Sequence, residues 1–249
     1  MTRFAGRHVI ITGGSSGIGR ATGERIAAEG GTVTLIARRA DVLAKVCSGI
    51  GSAARFIAAD VGDQAAILAA MDAAIAQGGP IDGLFLNAAA EGMYATTPDY
   101  TDEAFEAAMR VNVHSPFWTL RHVLPAMMAR KSGAILVTGT LGAVRGMAGN
   151  TGYCVSKHAV LGLARMVAME AAPHGVRCNV LHPGFIDTPM LAGAPETAKV
   201  HMAAITPQRR VGRAEEAAAV AAFLLSDDAS HVTAQDLAVD GGLLGTLAL

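Results

Sequence analysis

Residues 8–19 read His8-Val9-Ile10-Ile11-Thr12-Gly13-Gly14-Ser15-Ser16-Gly17-Ile18-Gly19, an apolar run that enters a glycine-rich turn ahead of a stretch with helical character. Such a strand–turn–helix lets backbone N–H groups and the positive end of a helix dipole approach a pyrophosphate closely. The glycines at 13, 17 and 19 depart from the G-x-G-x-x-G spacing, so the turn alone also fits a tight strand-to-helix junction with no ligand. Gly13-Gly14-Ser15-Ser16-Gly17 satisfies G-x-S-x-G as well, the elbow that would present Ser15 as the nucleophile of a serine hydrolase. That elbow requires an acid, then a histidine later in the chain, and an oxyanion loop; here it follows the first strand and nothing like HGGG precedes it. A hydrolase using Ser15 remains only a remote alternative.

Outward from this turn, short apolar or β-branched runs alternate with Ala-rich segments. Strands are predicted at 8–12, 32–37, 55–58, 83–87, 134–138, 177–181 and 237–239, and helices near 17–29, 41–49, 63–77, 102–129, 153–171 and 214–226. Continuous apolar strands separated by helices imply an α/β fold, a parallel sheet covered on both faces. No repeat, low-complexity tract or linker divides the 249 residues, so residues 1–249 are read as one domain. The exception is 188–212, where Pro189, Gly193, Pro195 and Pro207 interrupt any helical pattern; it is expected to be an irregular flap over the site.

The composition narrows the function. Half of the chain is hydrophobic (51%), 16% is charged, and the formal net charge is −1. A near-neutral balance gives no broad attraction for nucleic acid or an anionic membrane. The longest apolar run, Ala217–Leu225, is too short to span a bilayer, and a cytoplasmic protein without a cleaved signal is expected. Cys47, Cys154 and Cys178 are odd in number and widely spaced, suggesting neither a disulfide framework nor a metal site.

Nineteen residues after Gly19, the second strand ends in Ala37-Arg38-Arg39. An acidic residue there would hold a ribose 2′-hydroxyl, whereas arginine forms a charge-assisted bidentate pair with a 2′-phosphate, which favours NADP; a solvated basic pair ahead of a helix capped by Asp41 is the alternative. Asp60 either reaches an adenine amino group or shares with Asp63 the capping of the next helix. In Tyr153-Cys154-Val155-Ser156-Lys157, tyrosine and lysine are four residues apart and share a helix face. An ammonium beside a phenol favours the phenolate, so Tyr153 is expected to be shifted toward a range useful for proton exchange with a carbonyl or alcohol. With three tyrosines and four lysines in the chain, chance rarely supplies the pair.

Taken together, Thr12 to Gly19, Asn87-Ala88-Ala89, Asn112, Tyr153/Lys157, Pro183-Gly184 and Ala238-Val239-Asp240-Gly241-Gly242 resemble, in order and spacing, the short-chain dehydrogenase/reductases over essentially the whole chain. The resemblance implies a doubly wound Rossmann-type domain with a seven-stranded, largely parallel sheet in the order 3-2-1-4-5-6-7. It implies interconversion of a secondary alcohol and a ketone, with Tyr153 as acid/base and Lys157 lowering its pKa while holding the nicotinamide ribose; with Arg38 at the second strand's end, NADP(H) is the expected coenzyme. Thr140, thirteen residues before the tyrosine, stands where the family has a serine that polarises the carbonyl; it keeps the hydroxyl and adds a methyl group. Asn112, inside a long helix, would hold a relay water. The implied cofactor contacts are Gly13, Ser15, Ser16, Gly17, Ile18, Gly19, Arg38, Arg39, Asp60, Val61, Asn87, Tyr153, Lys157 and the segment with Pro183, Gly184, Ile186 and Thr188. Homodimers or homotetramers are implied as well.

Three departures qualify the resemblance: Asn87-Ala88-Ala89-Ala90 replaces N-N-A-G, Thr233-Ala234-Gln235 replaces T-G-Q, and threonine replaces serine at 140. Threonine at 140 and the altered Asn87 turn leave a non-catalytic dinucleotide sensor or scaffold as the second hypothesis. His182, ahead of Pro183, reads as a histidine satisfied by backbone rather than an extra acid/base. Met93, Met147, Met190, Leu191 and Met202 fall in segments that line the cleft of related proteins. They suggest a hydrophobic carbonyl substrate, with plain core packing as the alternative.

Overall fold

The computed structural model describes residues 2–246. Seven parallel strands form one sheet: β1 (His8–Thr12), β2 (Thr32–Ala37), β3 (Ala54–Ala58), β4 (Gly83–Leu86), β5 (Gly133–Thr138), β6 (Val176–Pro183) and, after the two-residue strands β7 (Ile186–Asp187) and β8 (Gly212–Arg213), β9 (Asp236–Val239). The order is β3-β2-β1-β4-β5-β6-β9, as expected. Because side chains alternate across a strand, Ile10, Ile36, Leu84 and Ile135 face one layer while Val9, Ile11, Leu35, Phe85 and Leu136 face the other. The first layer is completed by α3 (Gln64–Gly78), α5 (Ser115–Arg130) and α6 (Thr151–Ala171). The second is completed by α1 (Gly17–Ala28), α2 (Ala40–Ile50) and α9 (Ala214–Leu225). The chain reverses its direction of sheet growth between β1 and β4, and in such sheets the crevice beyond the strands' carboxyl ends is the ligand site.

Three local readings are corrected. The helix expected over 102–129 is broken: α4 (Asp102–Met109) passes into a wide π turn at Arg110–His114 before α5 begins. Single π turns cluster at functional sites, and this one carries Asn112. The segment 188–212 is not irregular but contains α7 (Pro189–Ala192) and α8 (Glu196–Ile205). Two of its prolines start helices rather than interrupt them: Pro189 lies in the first turn of α7 and Pro195 immediately precedes α8, where a missing N–H costs nothing, while Pro207 follows the end of α8. The parallel pairing of β7 with β8 ties the two ends of this segment together. Finally, Asp41 lies in the first turn of α2 without capping it, since Arg39 occupies the cap position and no side chain bonds the turn.

The departures at Ala90 and Ala234 differ in cost. Ala90 needs no positive φ, so alanine fits there, whereas Ala234 sits at φ 58°, in the left-handed region that glycine enters freely. Ala234→Gly is therefore expected to stabilise the protein by about 1 kcal/mol, net of glycine's greater unfolded-state freedom. Thermal unfolding should register a rise of roughly 2–4 °C.

Candidate active site

The end of β1 and the end of β4 are stitched together by side chains. Thr12 Oγ1 accepts from the N–H groups of Asn87 (3.0 Å) and Ala88 (3.1 Å), while Asn87 Nδ2 donates to the Thr12 carbonyl at 3.2 Å. Thr138 Oγ1 donates to Asn87 Oδ1 at 3.2 Å, bringing in the end of β5. The turn is built for contact: a Cβ at Gly19 would lie 2.4 Å from the Gly13 carbonyl oxygen, and one at Gly17 (φ +53°) would press on Thr188 at 3.0 Å. Thr188, and with it the start of α7, thus lies directly against the glycine turn.

This turn fits a dinucleotide on three observations. α1 begins at Gly17 with no side-chain cap and no acidic residue in its first turn, which leaves its leading N–H groups and dipole for an external anion. By contrast Asp63 caps α3 through Ala66 N–H at 3.0 Å, so Asp60, whose Oδ1 accepts from Gly62 N–H, is released from the capping role. Arg38 and Arg39 are exposed at the end of β2, and neither forms an ion pair among the described residues. They lie beside the glycine turn, because Gly13 N–H donates to the Ile36 carbonyl at 2.8 Å. Ser15, Gly19, Val61 and Ile186 are buried, while Ser16, Ile18, Asn87, Pro183, Gly184 and Thr188 are half-buried. Gly184 N–H donates to the Val239 carbonyl at 2.9 Å, joining the Pro183-Gly184 turn to β9.

Across the crevice, Tyr153 stands in the first turn of α6 and Lys157 one turn later. The lysine is only 2% exposed, with Nζ 5.8 Å from the centre of the Tyr153 ring and donating to the Thr138 carbonyl at 2.7 Å. Of its three N–H donors, one is engaged by that carbonyl. Burial pulls the ammonium from 10.5 down to about 8. Burial also pushes the Tyr153 phenol above its usual value, against the opposing hydrogen bond with the Thr140 side chain, while Tyr94, Cys154 and Glu91 add to the rise. The expected depression of the phenol by Lys157 is thus absent with the protein's own groups alone. Both groups lose water together, and the ammonium spends its short contact on a carbonyl rather than on the phenol oxygen.

Asn112 is buried in the π turn. Its Oδ1 accepts from Ala90 N–H at 2.8 Å, and its Nδ2 donates to the Ala90 carbonyl and to Ser156 Oγ, both at 2.9 Å. Ser156 in turn donates to the Tyr153 carbonyl at 2.7 Å. Both amide donors are therefore spent on tying the Ala90 turn to the helix that carries Tyr153. Asn150 Nδ2 donates to the Glu91 carbonyl and Tyr100 Oη accepts from Met93 N–H, fixing the loop that follows. His182 is half satisfied by backbone: Nδ1 accepts from the Thr140 N–H at 3.1 Å, while Nε2 has no hydrogen-bond partner among the described residues. Hydrogen bonds of the other histidine rings go to Gly79 and Thr34, Asp72 and Cys154, and among the described residues none reaches Ser15.

Thr12, Thr138, Ser156, Asn150 and Tyr100 were not legible as site residues, because isolated hydroxyls and amides carry no spacing signal. Met93, Leu191 and Met202 are half-buried, and Met147, Met190 and Tyr94 (73% exposed) stand open. Among the described residues no three His, Cys, Asp or Glu side chains are placed to hold a metal, and no helix is long and apolar enough to cross a membrane.

A family model described as enoyl-(acyl carrier protein) reductase matches residues 13–244. Levodione reductase of Leifsonia aquatica is 38% identical, the alignment covering 97% of this chain and 95% of the relative. Cis-4-hydroxycyclohexanecarboxylate dehydrogenase of Sinomonas cyclohexanicum is also 38% identical, with 96% and 97% covered. A crystal structure of levodione reductase superposes with a TM-score of 0.94 at 36% identity, over 98% of this chain and 100% of that one. The chain belongs to the short-chain dehydrogenase/reductase family, as an oxidoreductase that works on a small molecule with a nicotinamide dinucleotide.

Proposed function

We propose that the protein interconverts a secondary alcohol and a ketone with NADP(H), and that its carbonyl substrate is cyclic and largely apolar. The observation that carries this reading is the Tyr153 ring set over the buried Lys157 ammonium, whose Nζ lies 5.8 Å from the ring centre and is tied to the Thr138 carbonyl two residues before Thr140. When bound, the nicotinamide supplies or takes up the hydride. In reduction, Tyr153 gives its phenolic proton to the carbonyl oxygen; in oxidation the phenolate takes the proton from the alcohol. A phenol held protonated by burial suits the reductive direction. Thr140 donates a hydrogen bond to the same substrate oxygen. Lys157 places positive charge below the ring and keeps donors for ribose hydroxyls, and Asn112 steadies the Ala90 turn, leaving one lone pair of Oδ1 for a relay water.

Gly13, Ser15, Ser16, Gly17, Ile18 and Gly19 would hold the pyrophosphate, Asp60 and Val61 the adenine, and Asn87 with Pro183, Gly184, Ile186 and Thr188 the nicotinamide end. Arg38 and Arg39, charged and without an ion pair among the described residues, favour a 2′-phosphate and so NADP over NAD. The open Met147, Met190 and Tyr94 beside half-buried Met93, Leu191 and Met202 support an apolar substrate, and the cyclohexane in one relative's name supports a ring. Residues 188–212 would act as the flap. Phe117 on α5 and Val155, Met166 and Met169 on α6 leave apolar side chains in water, which supports a homodimer or homotetramer built on these helices. Free, buried Cys47, Cys154 and Cys178 agree with work in the reducing cytoplasm.

A panel of cyclic and open-chain ketones, mixed with enzyme and NADPH and followed by loss of dihydronicotinamide absorbance, tests the reading. Cyclic ketones should be consumed fastest; tight NADPH binding with no turnover of any member would leave the sensor reading, which only threonine in the serine position favours. Thr140→Ala is expected to lower kcat about 100-fold, the scale of one lost oxyanion donor, while Thr140→Ser stays within a few-fold of wild type. An unaffected kcat in Thr140→Ala would make the threonine purely structural.

A further inference from the structure

Gly139 N–H donates to the Leu181 carbonyl at 2.7 Å, the last backbone rung between β5 and β6. The next N–H, that of Thr140, is taken by a side chain instead: Nδ1 of His182, a residue only 1% exposed. The ring fits because residue 139 is glycine; a Cβ there would fall 2.2 Å from Nδ1. Since Nδ1 accepts, the ring proton belongs on Nε2. Nε2 is buried with no hydrogen-bond partner at normal range and faces Asp236 Oδ2 of β9 at 3.5 Å, and Asp236 is held by Arg165 of α6 at 2.8 Å. A chain of contacts thus runs from α6 through β9 to the backbone of the residue whose hydroxyl meets the substrate.

We propose that His182 is a positioning residue: its neutral ring, oriented by Asp236, clamps the Thr140 backbone so that the Thr140 hydroxyl points at the substrate oxygen, and a proton on Nδ1 opens the clamp. This rests on the reading of Thr140 as the carbonyl's donor. An imidazolium offers N–H on both sides, so Nδ1 then meets the Thr140 N–H as a like donor. The charged groups facing the ring are Asp236 from β9, which favours the proton, and Arg165 and Lys157 from α6, which oppose it. Just beyond β5 the uncharged Gly139–Thr140 backbone meets it. Burial is the main opposition to the proton, so the clamp stays closed at neutral pH and opens below histidine's usual range.

The test compares His182→Asn, whose amide oxygen can replace Nδ1 but does not titrate, with His182→Leu, which fills the space and accepts nothing. Ketone reduction is measured for both from acid to neutral pH, with NADPH affinity by fluorescence and folding by thermal unfolding. His182→Leu should lose about 10- to 100-fold in kcat with KM and NADPH affinity little changed, the cost of one misplaced hydrogen-bonding group. His182→Asn should recover most of kcat and lose the wild-type acid limb. Full kcat in a folded His182→Leu, or an acid limb that persists in His182→Asn, would overturn the proposal. If His182→Leu does not fold, the pH profile of His182→Asn decides. Thr140→Ala run alongside separates the two failures: normal kcat there sinks the role of the threonine, whereas a damaged Thr140→Ala beside a normal His182→Leu sinks only the clamp.

Discussion

Tyr153→Phe is expected to lower kcat for ketone reduction by at least about 10³-fold, within the range that a positioned acid contributes, while NADPH affinity changes little. The substitution removes one oxygen and keeps the ring. The ring is what rests against the Lys157 ammonium, with Nζ 5.8 Å from its centre, so the lysine keeps its cation–π contact and its bond to the Thr138 carbonyl. Ser156 bonds the backbone carbonyl of residue 153 and not its phenol, so the α6 turn also survives. What is lost is the proton donor and the hydrogen-bond partner of Thr140. Steady-state kinetics together with fluorescence titration of NADPH separate the two effects, and a turnover within tenfold of wild type would assign the chemistry to another group.

Arg38→Asp should reverse the coenzyme preference, weakening NADPH by about 100-fold or more and leaving NADH equal or improved. The arginine is exposed at the end of β2 and forms no ion pair among the described residues, so its removal breaks no salt bridge there. An aspartate there repels a 2′-phosphate and accepts from a 2′-hydroxyl. Charge-assisted phosphate pairs contribute about 1.5–3 kcal/mol, and the added repulsion brings the total to the stated range. Ratios of kcat/KM for the two coenzymes read the change directly. A preference that does not move would take away the case for NADP.

The chemistry-bearing residues were legible because their spacing is itself the signal: Tyr153 and Lys157 are one helical turn apart, and the glycines at 13, 17 and 19 punctuate a strand that becomes a helix. The sheet order came through the resemblance, since period and composition alone do not rank strands. The break at Arg110–His114 was hidden because one extra residue in a turn barely disturbs apolar periodicity over a long helix. Residues 188–212 misled because proline's position relative to a helix start, not its presence, decides its effect. The burial of Tyr153 and Lys157 was hidden for a third reason: spacing reveals which charge is near, but desolvation depends on what covers both groups, which only the fold shows. Residues such as Thr12, Thr138 and Ser156 organise the site through hydrogen bonds that only the fold brings within reach.

The most direct measurement is the pH dependence of kcat in both directions on wild type and Tyr153→Phe. Reduction needs the protonated phenol and oxidation the phenolate, so one group must give opposite limbs: reduction sustained through neutral pH and falling in alkali, oxidation rising over the same interval. Both limbs should be missing from whatever activity Tyr153→Phe retains. Limbs that run in the same direction, or opposite limbs that survive the loss of the phenol, would contradict proton transfer by Tyr153.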